Sequence, residues 1–361
     1  MNLYTTSIDI IRAGQARSGA YVASPTFSQY GYSWLRDGTW IALGMDCAGQ
    51  HASAHAFYQW VGRTLEAQRP RLETLLGKLA RGETPDDLDY LPTRFTLDGA
   101  PGEDFWWDFQ LDGYGTWLWG LVDHVGRTGD DDLWAALRPA VELTARYLGA
   151  LWQVPNYDCW EEHRDRIHLS TLAAIYGGLD AVCQRAPDLV PPDLPQRIRD
   201  FALGQGVAAG GHLVKYLGTE TVDASLLWTA VPYRLVKVDD PRFEHTLAQI
   251  ERDLHRPGGG VYRYAADTYY GGGEWILLTA WLAWVYAERG EPDRARPLLD
   301  WIAAQAGPDG ALPEQVPDHR LFPDRYAEWE AKWGTIARPL LWSHAMWLIV
   351  TSRLGEGPCQ S

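Results

Sequence analysis

Three carboxylates and an indole lie within five consecutive residues of the stretch 157–164. The carboxylates are Asp158, Glu161 and Glu162, and Trp160 stands between the first two. One carboxyl group beside an apolar neighbour can stay protonated while another stays ionised, which is the arrangement that acid–base chemistry needs. The indole face can stack on a sugar ring. The stretch therefore indicates a sugar pocket, and the alternative is a solvated acidic loop that caps the next helix.

A second candidate for acid–base chemistry is Glu314, which stands between a proline and a glutamine in an otherwise uncharged stretch. A carboxylate isolated in this way suits a general base, which needs only a water molecule and a substrate beside it. The alternative is an ordinary exposed glutamate in a loop.

Two further loops carry groups that could hold hydroxyls. Arg36 and Asp37 follow Trp34 at the predicted start of a helix, where a donor beside an acceptor can bind two neighbouring sugar hydroxyls. The alternative is that Asp37 caps the helix and pairs with Arg36. Two triple-glycine turns bracket Arg263 and let the backbone approach a ligand closely. They lack GxxxxGK[ST] and a preceding strand, so they do not indicate a nucleotide site.

The chain holds 19 tryptophans. Most are expected to be core residues, whereas those at Gly- or Pro-containing junctions are candidates for contact with a ligand. The junction set is Trp34, Trp106, Trp107, Trp160, Trp275 and Trp333.

The apolar periodicity and its Gly and Pro interruptions predict about twelve helices that position these loops. The predicted ranges are 5–17, 34–48, 51–69, 108–127, 131–152, 168–186, 193–207, 222–236, 240–255, 273–290, 293–306 and 341–353. Short pieces at 20–23 and 212–216 could pair locally as strands. The helices form antiparallel pairs, with short turns inside a pair and long segments between pairs.

Six such pairs predict an all-α fold, an (α/α)6 barrel or toroid, as one catalytic domain over residues 1–361. Functional residues concentrate in loops that a rigid scaffold positions, so the active site is expected in the long loops at one end. These loops are 19–33, 70–107, 153–167, 208–221, 256–273 and 307–340.

The composition excludes several classes of protein. A net charge of −15 spread over 361 residues argues against nucleic acid and anionic membranes as partners. No apolar run is long enough for a membrane span, and no signal peptide is recognisable, so we predict a cytoplasmic protein. The sequence does not indicate an oligomeric state.

The cysteines Cys47, Cys159, Cys183 and Cys359 are too scattered for a disulfide framework, so we predict free thiols. The ten histidines are dispersed, and neither CxxC nor HExxH occurs. The sequence therefore predicts no metal site and no cofactor.

Together these loops resemble the glucoamylase-like family 15 of the glycoside hydrolases, which includes glucodextranases and isomaltose-releasing glucohydrolases. The motifs that carry the resemblance, in family order, are Tyr32-Ser33-Trp34-Leu35-Arg36-Asp37, Gln110-Leu111-Asp112-x-Tyr114, Asp158-x-Trp160-Glu161-Glu162, Arg263-Tyr264-x-x-Asp267-x-Tyr269 with Trp275, and Leu312-Pro313-Glu314-Gln315. The resemblance implies an inverting, exo-acting α-glucosidase that releases β-glucose from the non-reducing end of a small oligosaccharide.

The resemblance also implies the roles of individual residues. Glu161 would be the general acid and Glu314 the general base, with carboxyl groups about 6.5–9.5 Å apart so that a water molecule fits between them. Like charge from Asp158 and Glu162 is expected to raise the pKa of Glu161. The implied substrate-binding residues are Trp34, Arg36, Asp37, Trp106, Asp158, Trp160, Glu162, Arg263 and Trp275.

The chain has room for neither an N-terminal β-sandwich nor a starch-binding module, both of which occur in relatives. A short α-1,6 substrate such as isomaltose is therefore expected ahead of maltooligosaccharides and trehalose.

A catalytically silent glucan-binding or sensor protein is an alternative, and so is a terpene cyclase with Asp130-Asp131-Asp132 as its magnesium motif. These three acids also suit the N-terminus of a helix. Structural calcium, which some relatives bind in loops, stays open.

Overall fold

The helices of the computed structural model, which describes residues 2–356, form two concentric layers. In chain order they are α1 (Leu3–Ala13), α2 (Leu35–Cys47), α3 (His51–Ala67), α4 (Arg69–Ala80), α5 (Asp112–Thr128), α6 (Asp131–Leu151), α7 (Leu169–Arg185), α8 (Leu194–Gln205), α9 (Pro241–Asp253), α10 (Ile276–Glu288), α11 (Pro292–Ala304), α12 (Tyr326–Trp333) and α13 (Leu341–Arg353). A longer 3-10 turn covers Ala224–Thr229.

A closed ring forms the inner layer. Around the ring, α2 packs on α5, α5 on α7, α7 on the 3-10 turn, the turn on α10, α10 on α13, and α13 back on α2. The outer helices α1, α3, α6, α8, α9 and α11 pack around these six positions. The fold is therefore the predicted (α/α)6 barrel.

Side-chain chemistry decides which layer a helix joins. Helix α10 reads ILLTAWLAWVY over its first eleven residues, and all of them are buried, as expected for a helix surrounded by protein on every side. Helix α9, by contrast, buries only Phe243, Thr246, Leu247 and Ile250, which recur at helical spacing along one face.

Three parts of the prediction were wrong. The range 222–236 is a 3-10 turn followed by irregular chain, because Pro232 has no N–H to continue a helix and Arg234 adopts a left-handed φ of 55°. The segments 70–107 and 307–340 are not continuous loops, since they contain α4 and α12. Helix α12 buries none of its residues and so gives only a weak apolar pattern.

The strands are short and local. β1 (Ser33–Trp34) pairs antiparallel with β2 (Arg94–Phe95), and β3 (Glu274–Trp275) with β4 (Gln315–Val316). Isolated bridges join Gln15 to Tyr21 and Val207 to Leu213, so the predicted local pairing at 20–23 and 212–216 is confirmed. Both sheets lie where the long loops enter inner helices. They bring the starts of α2 and α10 beside other long loops.

Within residues 2–356, no helix is long and apolar enough to cross a membrane. Cys47, Cys159 and Cys183 are free thiols, as predicted, and Cys359 lies outside the described residues.

Close contact between inner helices α5 and α7 depends on glycine. A Cβ on Gly115 would lie 2.3 Å from the carbonyl oxygen of Ala174, and one on Gly178 would lie 2.3 Å from the carbonyl oxygen of Gly115. The two backbones therefore meet without side chains between them.

We expect Gly115→Ala to lower the free energy of unfolding by about 1–3 kcal/mol, because the added methyl group forces α5 and α7 apart. In the control variant Gly126→Ala the methyl group is on the exposed face of the same helix, with no heavy atom within 4 Å. This control should gain roughly 0.5–1 kcal/mol. Chemical denaturation measures both values, and equal effects of the two substitutions would contradict the packing argument.

Candidate active site

A cavity of about 310 Å³ opens at the end of the barrel where the inner helices begin. It collects side chains from distant long segments and from the first turns of α2 and α13. All predicted site residues except Asp158 line it: Trp34, Arg36, Asp37, Trp106, Trp160, Glu161, Glu162, Arg263, Trp275 and Glu314.

Glu161 projects into the cavity from a tight turn. Asp158 builds this turn by accepting hydrogen bonds from the backbone N–H groups of Trp160, at 3.0 Å, and Glu162, at 2.9 Å. Glu161 itself has a left-handed φ of 67°, which is uncommon for a residue with a side chain. Asp158 therefore lies beneath the turn and positions Glu161, whereas the sequence had indicated contact with substrate.

The Glu161 carboxyl group lies against an indole and a guanidinium. Trp34 Nε1 donates to its Oε1 at 2.9 Å, and Arg36 Nη2 lies 3.9 Å from the same oxygen. Burial raises the pKa of Glu161, while Arg36 and the hydrogen bonds oppose that change. The pKa of Glu161 is raised, as predicted, but the main cause is burial and not the charge of the neighbouring carboxylates.

Arg36 is held by polar groups that precede and begin α5. Its Nη1 donates to Gln110 Oε1 at 2.9 Å and to Asp112 Oδ2 at 3.1 Å. Asp37 lies on the other side of the guanidinium, 3.4 Å from Nε, and burial raises its pKa to about 6. Arg36 Nε and Asp37 Oδ2 have no hydrogen-bond partner within the described chain.

Glu314 is 3 % exposed, and its surroundings contain tyrosines instead of a paired cation. Tyr30 donates to its Oε1 at 3.0 Å, and the hydroxyls of Tyr30 and Tyr269 are 3.0 Å apart. Burial raises the pKa of Glu314 to about 8, although the Tyr30 hydrogen bond and the charge of Arg263 act in the opposite direction. Glu314 Oε2 has no partner within the described residues and is free to bind a water molecule or a hydroxyl.

Arg263 is buried among aromatic rings. Its guanidinium lies 5.2 Å from the Trp160 ring and 5.1 Å from the Trp275 ring. It also donates to Asp267 Oδ2 at 2.8 Å and to Glu162 Oε1 at 3.3 Å. These contacts hold a charged group next to an apolar wall, where both can touch one ligand.

An unpredicted ion pair supports the wall. Asp223 is fully buried, accepts from Trp160 Nε1 at 3.0 Å and pairs with Lys215 Nζ at 2.7 Å. Lys215 also lies 3.6 Å from Asp158, so a single cation serves the indole and the turn beneath Glu161. Contact between residues 208–223 and the acidic loop was not predicted, because nothing in the local sequence marks Lys215 as buried.

Other cavity residues were also missed as site residues. Tyr269 lay within a quoted motif and Tyr30 two residues before another, but neither was assigned to the site, although two hydroxyls in loops next to glycines were an available signal. Trp329 and Trp333 reach the cavity from α12, and Trp342 reaches it from the start of α13. Helix α12 was not predicted, so only Trp333 had been noted as a candidate for ligand contact.

Residues 1–351 match the family model of Glycosyl hydrolases family 15. The chain is 48% identical over 357 residues to an isomaltose glucohydrolase of Kribbella flavida, covering 97% of this chain and 91% of that protein. It is 26% identical over 310 residues to Trehalase 2 of Sulfolobus acidocaldarius, covering 79% of this chain and 53% of that protein.

Solved structures of glycosidases have the same fold as this chain. A wild-type glycosidase superposes with a TM-score of 0.93 at 48% identity, covering 99% of this chain and 97% of that one. A glutamate-to-alanine variant of a glycosidase, solved in complex with glucose, gives the same values. A bacterial glucoamylase complexed with acarbose has a TM-score of 0.75 at 20% identity, covering 98% of this chain and 55% of that one, which is a likeness of fold.

The raised pKa of Glu314 leads to a prediction about stability. Because its pKa rises from 4.5 to about 8 on folding, the folded protein binds this proton more tightly than the unfolded chain does. The stability that this tighter proton binding contributes is complete below pH 4.5 and is lost as the pH rises through 8. Glu314→Gln cannot ionise, so its free energy of unfolding lacks this dependence on pH. We therefore expect the free energy of unfolding of Glu314→Gln, relative to that of wild type, to be a few kcal/mol higher at about pH 9 than at about pH 5.

Thermal and chemical unfolding at the two pH values measure this gain. Glu103→Gln is the control, since Glu103 is exposed and the same chemical change there removes no buried carboxyl group. A Glu314→Gln variant whose stability relative to wild type is the same at both pH values would contradict the interpretation.

Proposed function

The chain belongs to Glycosyl hydrolases family 15 and is a glycoside hydrolase, and on this basis we propose an inverting exo-glucosidase that cleaves short α-1,6-linked gluco-oligosaccharides such as isomaltose. The observation that carries the proposal is that two glutamates from distant loops, the partly exposed Glu161 and the buried Glu314, line one cavity. Its volume of about 310 Å³ is at the lower end of the range for small-molecule sites, which supports a short substrate.

The cavity wall contains buried polar atoms without partners in the described chain, and such atoms are expected to bind a ligand or water. They are Arg36 Nε, Asp37 Oδ2, Trp106 Nε1, Trp275 Nε1, Trp342 Nε1 and Glu314 Oε2. Four of these atoms are N–H donors and two are carboxylate acceptors, and a sugar hydroxyl can bind to either kind. Aromatic faces beside them match its C–H surfaces.

In the proposed reaction Glu161 protonates the glycosidic oxygen while a water molecule attacks the anomeric carbon from the other side. Glu314 takes a proton from that water, and its unpartnered Oε2 is the atom available to do so. Burial raises the pKa of both carboxyl groups, so the direction of the change does not separate acid from base. The assignment of roles rests on the family motifs, and the role of base requires Glu314 to be ionised when water binds.

The substrate contacts follow from the same geometry. Arg36 and Asp37 offer a donor and an acceptor to the non-reducing-end glucose, between the walls formed by Trp34 and Trp106. Arg263 and Glu162 are joined by a hydrogen bond and lie beside Trp160 and Trp275, where they contact the sugar and shape the surroundings of the acid. Asp158 acts by positioning Glu161.

The choice of linkage follows the Kribbella flavida relative, an isomaltose glucohydrolase that aligns over almost the whole chain. Trehalose is the second candidate, because several matched relatives are trehalases at 23–27% identity.

We expect Glu161→Gln and Glu314→Gln each to lower kcat/KM for isomaltose by about 10²–10⁴-fold, because each removes a proton transfer from the reaction. Glu103→Gln, which changes an exposed glutamate, is the matched control and should keep full activity. Circular dichroism of all three variants shows whether the fold is intact. Full activity in either active-site variant would overturn the assignment.

We expect isomaltose to be hydrolysed faster than nigerose, kojibiose, maltose or trehalose, with β-glucose as the first product. Proton NMR of the initial product identifies the anomer, and released glucose ranks the disaccharides. Initial α-glucose would rule out inversion, and trehalose as the best substrate would favour the second candidate. Binding without hydrolysis of any of the five would favour a silent glucan-binding protein.

A further inference from the structure

A group of possible metal ligands lies outside the cavity, where three helices meet. His55 on α3, His124 on α5 and Asp130 at the start of α6 each offer a ligand atom, and these atoms lie within 4.8 Å of one another. Asp130 is the N-cap of α6, because its Oδ1 accepts a hydrogen bond from the backbone N–H of Leu133 at 2.9 Å. This agrees with the alternative interpretation of residues 130–132 as acids at a helix N-terminus. Its Oδ2 lies 2.7 Å from His55 Nδ1.

A second observation concerns His124, whose side chain is 1 % exposed. Its Nδ1 donates to Asp46 Oδ2 at 2.8 Å, which leaves the lone pair on Nε2. Nε2 is buried and has no hydrogen-bond partner within the described chain. A carboxylate that fixes the tautomer of a histidine in this way is the usual outer partner of a metal-binding imidazole. Asp46 is itself held by His51 Nδ1 at 2.8 Å, so this outer partner is fixed too.

We propose that His55, His124 and Asp130 bind Zn²⁺, with water completing a tetrahedral site. Two imidazoles and one carboxylate are a ligand set that suits Zn²⁺. Ligands about 2.0–2.1 Å from zinc lie about 3.4 Å apart in a tetrahedron. His55, whose side chain is 35% exposed, can turn to reach this spacing. The metal takes the place of the proton between His55 Nδ1 and Asp130, and that proton moves to Nε2 of His55.

The site joins helices of both layers and is separate from the sugar cavity. Asp112, which pairs with Arg36, begins α5, and His124 lies twelve residues further along, so the two are about 18 Å apart along the helix axis. The zinc would tie the outer helices α3 and α6 to the inner helix α5. No short sequence motif marks these ligands, because they come from separate helices.

The test uses the full chain, free of any affinity tag, after dialysis against EDTA. Zn²⁺ is titrated in competition with a chromogenic chelator, and thermal unfolding is recorded with and without the metal. We expect about one equivalent of Zn²⁺ to bind and to raise the Tm. His55→Ala and Asp130→Asn should each weaken binding at least tenfold and remove most of the Tm increase. Asparagine keeps the helix cap while it removes the charge.

His245→Ala is the control, because it removes an exposed histidine on α9. It should bind Zn²⁺ as wild type does. Co²⁺ bound to wild type should show the visible absorption of a tetrahedral site, and His55→Ala should not. Zn²⁺ binding that is unchanged in His55→Ala, or no binding to wild type, would overturn the proposal. Because the readouts are affinity, Tm and absorption, the outcome is independent of hydrolysis of any sugar.

Discussion

The buried guanidinium of Arg36 is the interaction on which the site depends. A charge removed from water needs close partners, and Arg36 finds them in Gln110 and Asp112 at the beginning of α5. The same group lies 3.9 Å from Glu161. One cation therefore fixes two inner helices and the acidic loop relative to each other. Loss of one of these partners weakens the compensation of a buried charge, which links the precision of the cavity to the closure of the ring.

The two glutamates differ because charge is distributed unevenly around the cavity. Arg36 opposes the burial of Glu161 directly, whereas Arg263 is already engaged by Asp267 and Glu162. Glu314 receives a phenolic hydrogen bond from Tyr30 and a weaker influence from Arg263, so burial dominates and its pKa rises to about 8. The framework thus gives the cavity one carboxyl group beside a cation and one that accepts a hydrogen bond from a tyrosine hydroxyl.

The barrel could be predicted because amphipathic periodicity and Gly or Pro breaks are local signals. The same signals failed at 222–236, where tertiary packing on α7 and α10 holds a segment that is not a regular helix. Loops of unusual composition indicated some of the residues that line the cavity, such as Glu161 and Arg263. Lys215, Asp223 and Asp158 were not assigned their positioning roles, since those roles arise from contacts between distant loops.

The part of the cavity lining that α12 supplies is less firmly anchored than the part that comes from the inner ring. Helix α12 supplies Trp329 and Trp333, yet none of its eight residues is buried, and it rests on the 3-10 turn Tyr269–Gly271 through rings such as Tyr269 and Trp329, 5.0 Å apart. Since α12 contributes no fully buried residue and α10 buries its first eleven, opening α12 exposes less apolar surface, and its free energy of local unfolding is expected to be lower than that of the inner ring. We therefore expect the amide hydrogens of α12 to exchange with solvent before those of α10, so that this part of the cavity lining opens while the barrel stays closed.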